Sequence, residues 1–165
     1  MLTLPKIVER QAQPYVAMRR LVKPPFNDVV DATLPKLWRW IGDHHVEPAG
    51  PPFIKYNVID MASKLEIEFG APTATVLPAD AEVVTGTLPA GRYATLTYHG
   101  PYDDLMEVNA VLIGWANLHQ YAFDMQPTPK GDRFACRLEI YPNDPREVPD
   151  PRDWETVLAF KLRDG

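Results

Sequence analysis

Short apolar runs set off by proline and glycine predict strands at residues 7–10, weakly, and at 15–22. Beyond them Val30, Leu34, Leu37, Ile41 and His44 or His45 recur at helical spacing, which predicts a helix from about Asn27 or Asp28 to His45. Pro35 falls inside that helix. The expectation there is either an opening turn ending near Thr33 or a kink, because an interior proline removes a backbone hydrogen bond. After Pro48-Ala-Gly-Pro-Pro52, strands are expected at 53–60 and 65–69. The order then recurs. Residues 83–87 and 92–99 read as a hairpin around Leu88-Pro89-Ala90-Gly91, and a helix follows from Tyr102 or Asp103 to Gln120 with Leu105, Val108, Leu112, Trp115 and His119 as its stripe. Strands at 134–141 and 155–162 complete the series.

Individual residues repeat along with the elements. Tyr15 matches Tyr93, Pro25-Phe26 matches Pro101-Tyr102, and Trp40-x-x-x-His44 matches Trp115-x-x-x-His119. These matches point to duplication of a ββαββ unit, with repeats of about 6–70 and 82–162 in one domain spanning 1–165. Leu65-Glu66-Ile67 resembles Leu138-Glu139-Ile140, but counting strands after each helix sets Lys55-Tyr56-Asn57 against Glu139-Ile140-Tyr141 instead. A lysine is therefore expected where the other half has Glu139. Two fused α/β units of this kind would leave a cleft at their junction, a common place for a small-molecule site.

The chemistry concentrates in Arg137-Leu138-Glu139-Ile140-Tyr141. Alternation puts Arg137, Glu139 and Tyr141 on one face of the strand. A carboxylate among apolar neighbours must pair, hydrogen-bond or take up a proton; the plainer alternative is an edge strand with Glu139 in water. Phe53, Tyr56, Trp38, Trp115 and Tyr141 are available to line a cleft. An aromatic cleft with one buried acid suits a flat, lipophilic cation. Packing alone would explain Trp115, since it sits on an apolar helical stripe, and that is the favoured reading for it.

Composition narrows the classes. A net charge of −5, a pI near 5.3 and no basic cluster longer than Arg19-Arg20 argue against a nucleic-acid surface. No apolar run approaches the roughly 20 residues of a membrane span, and MLTLPKIVERQ lacks the apolar core of a signal peptide, so a cytoplasmic location is expected. Cys136 is the only cysteine and reads as a small buried residue. The four histidines form no HxH or HExxH pattern, so no metal site is expected, and no glycine-rich phosphate loop or serine-nucleophile signature appears.

Pro48-Ala-Gly-Pro-Pro-Phe-Ile-Lys-Tyr56, Leu88-Pro-Ala-Gly-Arg-Tyr-Ala-Thr-Leu96, His99-Gly-Pro-Tyr102, Glu139-x-Tyr141-x-x-Asp144-Pro145 and Trp154-Glu-Thr156 together resemble the GyrI-like small-molecule-binding domain. The resemblance runs over residues 14–162. It implies an α+β fold of tandem SHS2-type ββαββ modules related by a pseudo-twofold axis, similar also to SOUL-type haem-binding proteins, though no pattern here argues for haem or another cofactor. It also implies a hydrophobic groove with an acid at its base. Glu139 occupies the matching position, with Tyr141 beside it and Trp115, Tyr56 and Phe53 in family positions close to the groove.

Family regulators carry a helix-turn-helix ahead of this domain. Only about a dozen residues precede Tyr15 here, so direct DNA binding is not expected. The resemblance leaves three roles: a binder or sequestrator of lipophilic, cationic or aromatic molecules, a hydrolase of reactive cyclopropanoid compounds with Glu139 as acid or base and Tyr141 orienting substrate, or a protein-interaction module with a protein partner.

Overall fold

The computed structural model describes residues 1–60 and 62–164. Its strands are β1 (Lys6–Arg10), β2 (Gln13–Val22), β3 (Phe53–Ile59), β4 (Leu65–Pro72), β5 (Val84–Leu88), β6 (Gly91–His99), β7 (Met125–Thr128), β8 (Gly131–Phe134), β9 (Arg137–Ile140) and β10 (Glu155–Lys161). The helices are α1 (Asn27–Asp43) and α2 (Leu105–Leu118), the latter entered through a 3-10 turn at Tyr102–Asp104. The β7–β8 hairpin was not anticipated. Its sequence, Met-Gln-Pro-Thr and Gly-Asp-Arg-Phe, has no apolar run to announce a strand. Phe134 accordingly ends β8 rather than opening β9.

Pro35 lies inside a continuous α1. An interior proline costs about 3 kcal/mol, and the helix is held by tertiary packing, with Leu37, Trp40 and Ile41 buried against Val16 and Met18 of β2 and Ala71 of β4. On the other half, Val108 and Leu112 of α2 cover Ala94 and Leu96 of β6 and Leu158 and Phe160 of β10. Both helices thus lie on one face of a single antiparallel sheet of order β1-β6-β10-β9-β3-β4-β2-β5, with β8 of the extra hairpin paired to β3. The opposite face joins Tyr15, Leu88 and Val84 to Tyr93 and Val8, residues from the two ends of the strand order, so the sheet curls into a half-barrel.

The order differs from the expected hairpin. β5 pairs with β2, and β6 pairs with β1 and β10, although only Pro89 and Ala90 separate β5 from β6. The same crossing occurs at Gln11-Ala12 between β1 and β2. From the junction outward, each half therefore presents its third, fourth and second strands and ends on the first strand of the other half.

Residue correspondences follow from the ladders. With Tyr15 set on Tyr93, the hydrogen-bond registers carry Ile54 onto Glu139, Tyr56 onto Tyr141 and Glu68 onto Val157. The expected match of Lys55 with Glu139 is corrected. Ile54 is also the residue directly opposite Glu139 in the β3–β9 ladder, and alternation sends Lys55 to the face away from the helices. The helix ends also agree: His44 stacks on Trp40 and His119 lies tilted against Trp115, with ring centroids 3.9 and 4.9 Å apart, and the residues that follow, His45 and Gln120, are left-handed at φ 53° and 61°.

Candidate functional site

The β3–β9 junction brings two tyrosines onto one carboxylate. Ile54 and Tyr56 of β3 share the helix-side face with Glu139 and with Tyr141, which follows β9 directly. Glu139 is 6% exposed. The Tyr56 and Tyr141 hydroxyls both donate to its Oε1 at 2.8 Å, and Asn109 Nδ2 donates to its Oε2 at 3.2 Å. The requirement that a buried acid be paired or hydrogen-bonded is met by hydrogen bonds. Lys55, on the opposite face, instead donates to Asn57.

Arg137 acts at one remove. It donates to Asn109 Oδ1 at 3.1 Å, and its guanidinium lies 4.4 Å from the Phe160 ring and 4.9 Å from the Phe134 ring. Asn109 also donates to the Leu105 carbonyl at 2.7 Å, so its amide is held from two sides and aimed at Glu139. Burial pulls the Arg137 guanidinium below its ordinary value, with the charge of Glu139 opposing the shift. Burial, then the negative charge of Glu139 and the hydrogen bonds to it, pushes both the Tyr56 and Tyr141 phenols well above the ordinary tyrosine range. Both hydroxyls therefore remain donors near neutral pH.

Aromatic surface continues outward from Tyr141. Tyr102 meets it edge-on at 5.6 Å, and Trp154 lies 4.7 Å beyond Tyr102. On the α1 side, Phe26, Val29, Val30 and Leu34 pack in the same cluster as Tyr56 and Tyr141.

Of the six residues expected around a ligand, Glu139, Tyr56 and Tyr141 converge. Phe53 lies on the other sheet face, edge-on to Tyr15 at 5.7 Å. Trp115 packs on His119 and Tyr121 near the C-terminal end of α2, and Trp38 packs against the α1–β2 core. Tyr102, Trp154, Asn109 and Arg137 join the converging set instead. Asn109 had a signal in the sequence, since it falls four residues after Leu105 and four before Ile113, on the inward stripe of α2.

No helix among the described residues is long and apolar enough to cross a membrane. A curled antiparallel sheet with two helices on one face places the chain among α+β half-barrel domains. The chain belongs to the GyrI-like small-molecule-binding domain family, whose model matches residues 4–163.

Solved structures with this fold include the C-terminal domain of EcmrR, with a TM-score of 0.78, 17% identity and coverage of 98% of both chains. The chain spans 58% of the EcmrR chain in its DNA complex. SAV2435 bound to tetraphenylphosphonium is similar at a TM-score of 0.62 and 8% identity, covering 98% of this chain and 94% of that one. A hydrolase from Listeria innocua is similar at 0.62 and 13%, covering 96% and 91%. At these identities the likeness is one of fold. Comparison with curated proteins gives no match.

Proposed function

We propose that the chain binds lipophilic aromatic small molecules, cations most tightly, beside Glu139 on the helix side of the sheet junction. The observation that carries this reading is a carboxylate 6% exposed, held by two phenols and an amide, with Tyr102 and Trp154 extending the aromatic surface next to it. Oε1 receives two hydrogen bonds and Oε2 one, which leaves Oε2 with capacity to face a positive charge. The tetraphenylphosphonium complex of SAV2435 supports the choice of cation. The same reading takes the chain as one domain of two repeats, about 6–70 and 82–162, with the site at their junction; the repeated Trp-His helix ends and crossed first strands support it.

Binding rather than hydrolysis is favoured because both oxygens of Glu139 already accept hydrogen bonds from Tyr56, Tyr141 and Asn109, so the carboxylate is held in place rather than free to carry a proton to a substrate. Titration with tetraphenylphosphonium should quench tryptophan fluorescence saturably with a micromolar dissociation constant, roughly −8 kcal/mol. Absence of saturation into the millimolar range would remove the reading. A cyclopropane-bearing alkylator should be recovered unchanged after incubation, whereas a ring-opened water adduct formed over many turnovers would replace binding by hydrolysis.

One observation favours a second role in protein contact. α2 turns Met106, Val111 and Leu118 outward at 72%, 43% and 78% exposure, with Ala110 and Gly114 exposed between them. Sedimentation velocity at tens of micromolar should show self-association that Val111→Lys with Leu118→Lys abolishes; a monomer at every concentration would count against self-contact through this face.

A further inference from the structure

The sheet face away from the helices carries a cavity of about 470 Å³ at one half of the molecule. Its floor is a cross-strand row of cation, carboxylate and cation, because Arg19 of β2 and Lys55 of β3 are the ladder partners of Glu68 on either side. Glu68 is 1% exposed. Its Oε1 accepts from the Tyr15 hydroxyl at 2.9 Å and its Oε2 from Asn57 Nδ2, while Arg19 and Lys55 stand 3.6 and 3.8 Å from Oε2. The β7–β8 hairpin walls the cavity and brings Arg133 to it.

This network is not a requirement of the sheet. In the other half the register places Val157 at the Glu68 position, Ile140 at the Lys55 position and Thr97 at the Arg19 position, so the matching row carries no charge. Replacing a buried ion network by apolar side chains is often neutral or stabilising. A polar network retained beside an open cavity, in one half alone, therefore calls for a reason other than stability.

The charges lining the cavity specify what fits. Arg19, Lys55 and Arg133 face Glu66, Glu68 and Asp124, a balanced set. Two of the carboxylates are already engaged, Glu68 by hydrogen bonds from Tyr15 and Asn57 and Asp124 by Lys161 at 2.9 Å. Glu66 has no ion-pair partner among the described residues. Lys55 spends one hydrogen bond on Asn57, and Arg19, half exposed, has only its loose contact with Glu68 as an ion pair. Unused capacity thus consists of cationic donors at the Arg19–Lys55 row, Arg133 on the β8 wall, and one carboxylate two residues along β4. We propose that this cavity is a second binding site, for small polar zwitterions of amino-acid type, with the ligand carboxylate on Lys55 and Arg19 and its ammonium on Glu66. The volume lies in the range of small-molecule pockets, and the site is separated from Glu139 by the thickness of the sheet.

L-Glutamine serves as a neutral zwitterionic probe, followed through the amide resonances of Lys55, Asn57 and Gln126 at constant ionic strength. Saturable shifts confined to this face are expected. Glutamine α-amide, which lacks the carboxylate, should bind at least tenfold more weakly, and N-acetyl-L-glutamine, which lacks the ammonium, at least threefold. Lys55→Gln and Arg19→Gln should each weaken L-glutamine about tenfold and leave tetraphenylphosphonium affinity unchanged, with Lys55→Arg restoring most of the loss. Should Lys55→Gln fail to fold, Arg19→Gln carries the test, since its side chain is half exposed. Equal shifts from all three compounds, no saturable shift, or wild-type affinity in the folded variants would overturn the proposal.

Discussion

Glu139→Gln is expected to cut the affinity for tetraphenylphosphonium by about 10- to 100-fold and to leave neutral triphenylphosphine oxide within about twofold, as measured by calorimetric titration. At an effective dielectric of about 20 and a separation of about 6 Å, the attraction between unit charges is roughly 2.8 kcal/mol. Dehydration of the carboxylate offsets part of it, and each 1.4 kcal/mol that remains is about a factor of ten. Glutamine keeps the shape and one acceptor oxygen for the Tyr56 and Tyr141 hydroxyls. Its amide nitrogen cannot accept from Asn109, which is pinned by the Leu105 carbonyl and by Arg137, so a stability loss of about 1 kcal/mol should accompany the change. Equal losses for both probes would show that the carboxylate has no electrostatic part in binding.

Phe160→Ala should destabilise the fold by about 3–5 kcal/mol, the usual range for deleting a fully buried aromatic ring. Phe160 is 1% exposed and sits under α2 with Leu96, Leu112 and Leu158. Its effect extends to the site, because its ring carries the Arg137 guanidinium at 4.4 Å and meets Phe123 edge-on at 5.8 Å. Without that ring, Arg137 keeps only Phe134 as a platform, which loosens its hold on Asn109 and the aim of the amide at Glu139. Urea denaturation should show a lower midpoint at an unchanged slope, and tetraphenylphosphonium should bind more weakly under conditions where the variant remains folded. A stability loss of less than about 1 kcal/mol would mean that the cavity collapses readily.

Much of the architecture was legible because its signals are local. Proline clusters and apolar periodicity place both helices and all of the long strands within a few residues. Alternation along β9 correctly assigns Arg137, Glu139 and Tyr141 to one face, and Tyr56 joins them across the junction. Strand partners were less legible. A two-residue link such as Pro89-Ala90 reads as a hairpin turn, yet here it crosses from β5 at one end of the sheet to β6, next to the other end, and only the curl of the sheet makes that crossing short. The Lys55 match failed for a related reason: a shift of one residue reverses the face of every side chain in a strand, and counting elements does not fix register. Trp115 and Trp38 sit on stripes whose periodicity marks burial without saying against what. Tyr102 and Trp154 come from a 3-10 turn and from the end of a loop, and no periodic signal reports that they meet.

The crossed first strands also bear on how the molecule holds together as a covalent object. β1 completes the sheet edge beside β6, and β5 completes the edge beside β2. Severed between β4 and β5, the chain would give two pieces, each missing the border strand it borrows and carrying one it cannot use. That is the arrangement of an arm-exchanged dimer. The segment after Pro72 turns such an exchange into an intramolecular event, so its completion depends on a tether rather than on the concentration of a second molecule.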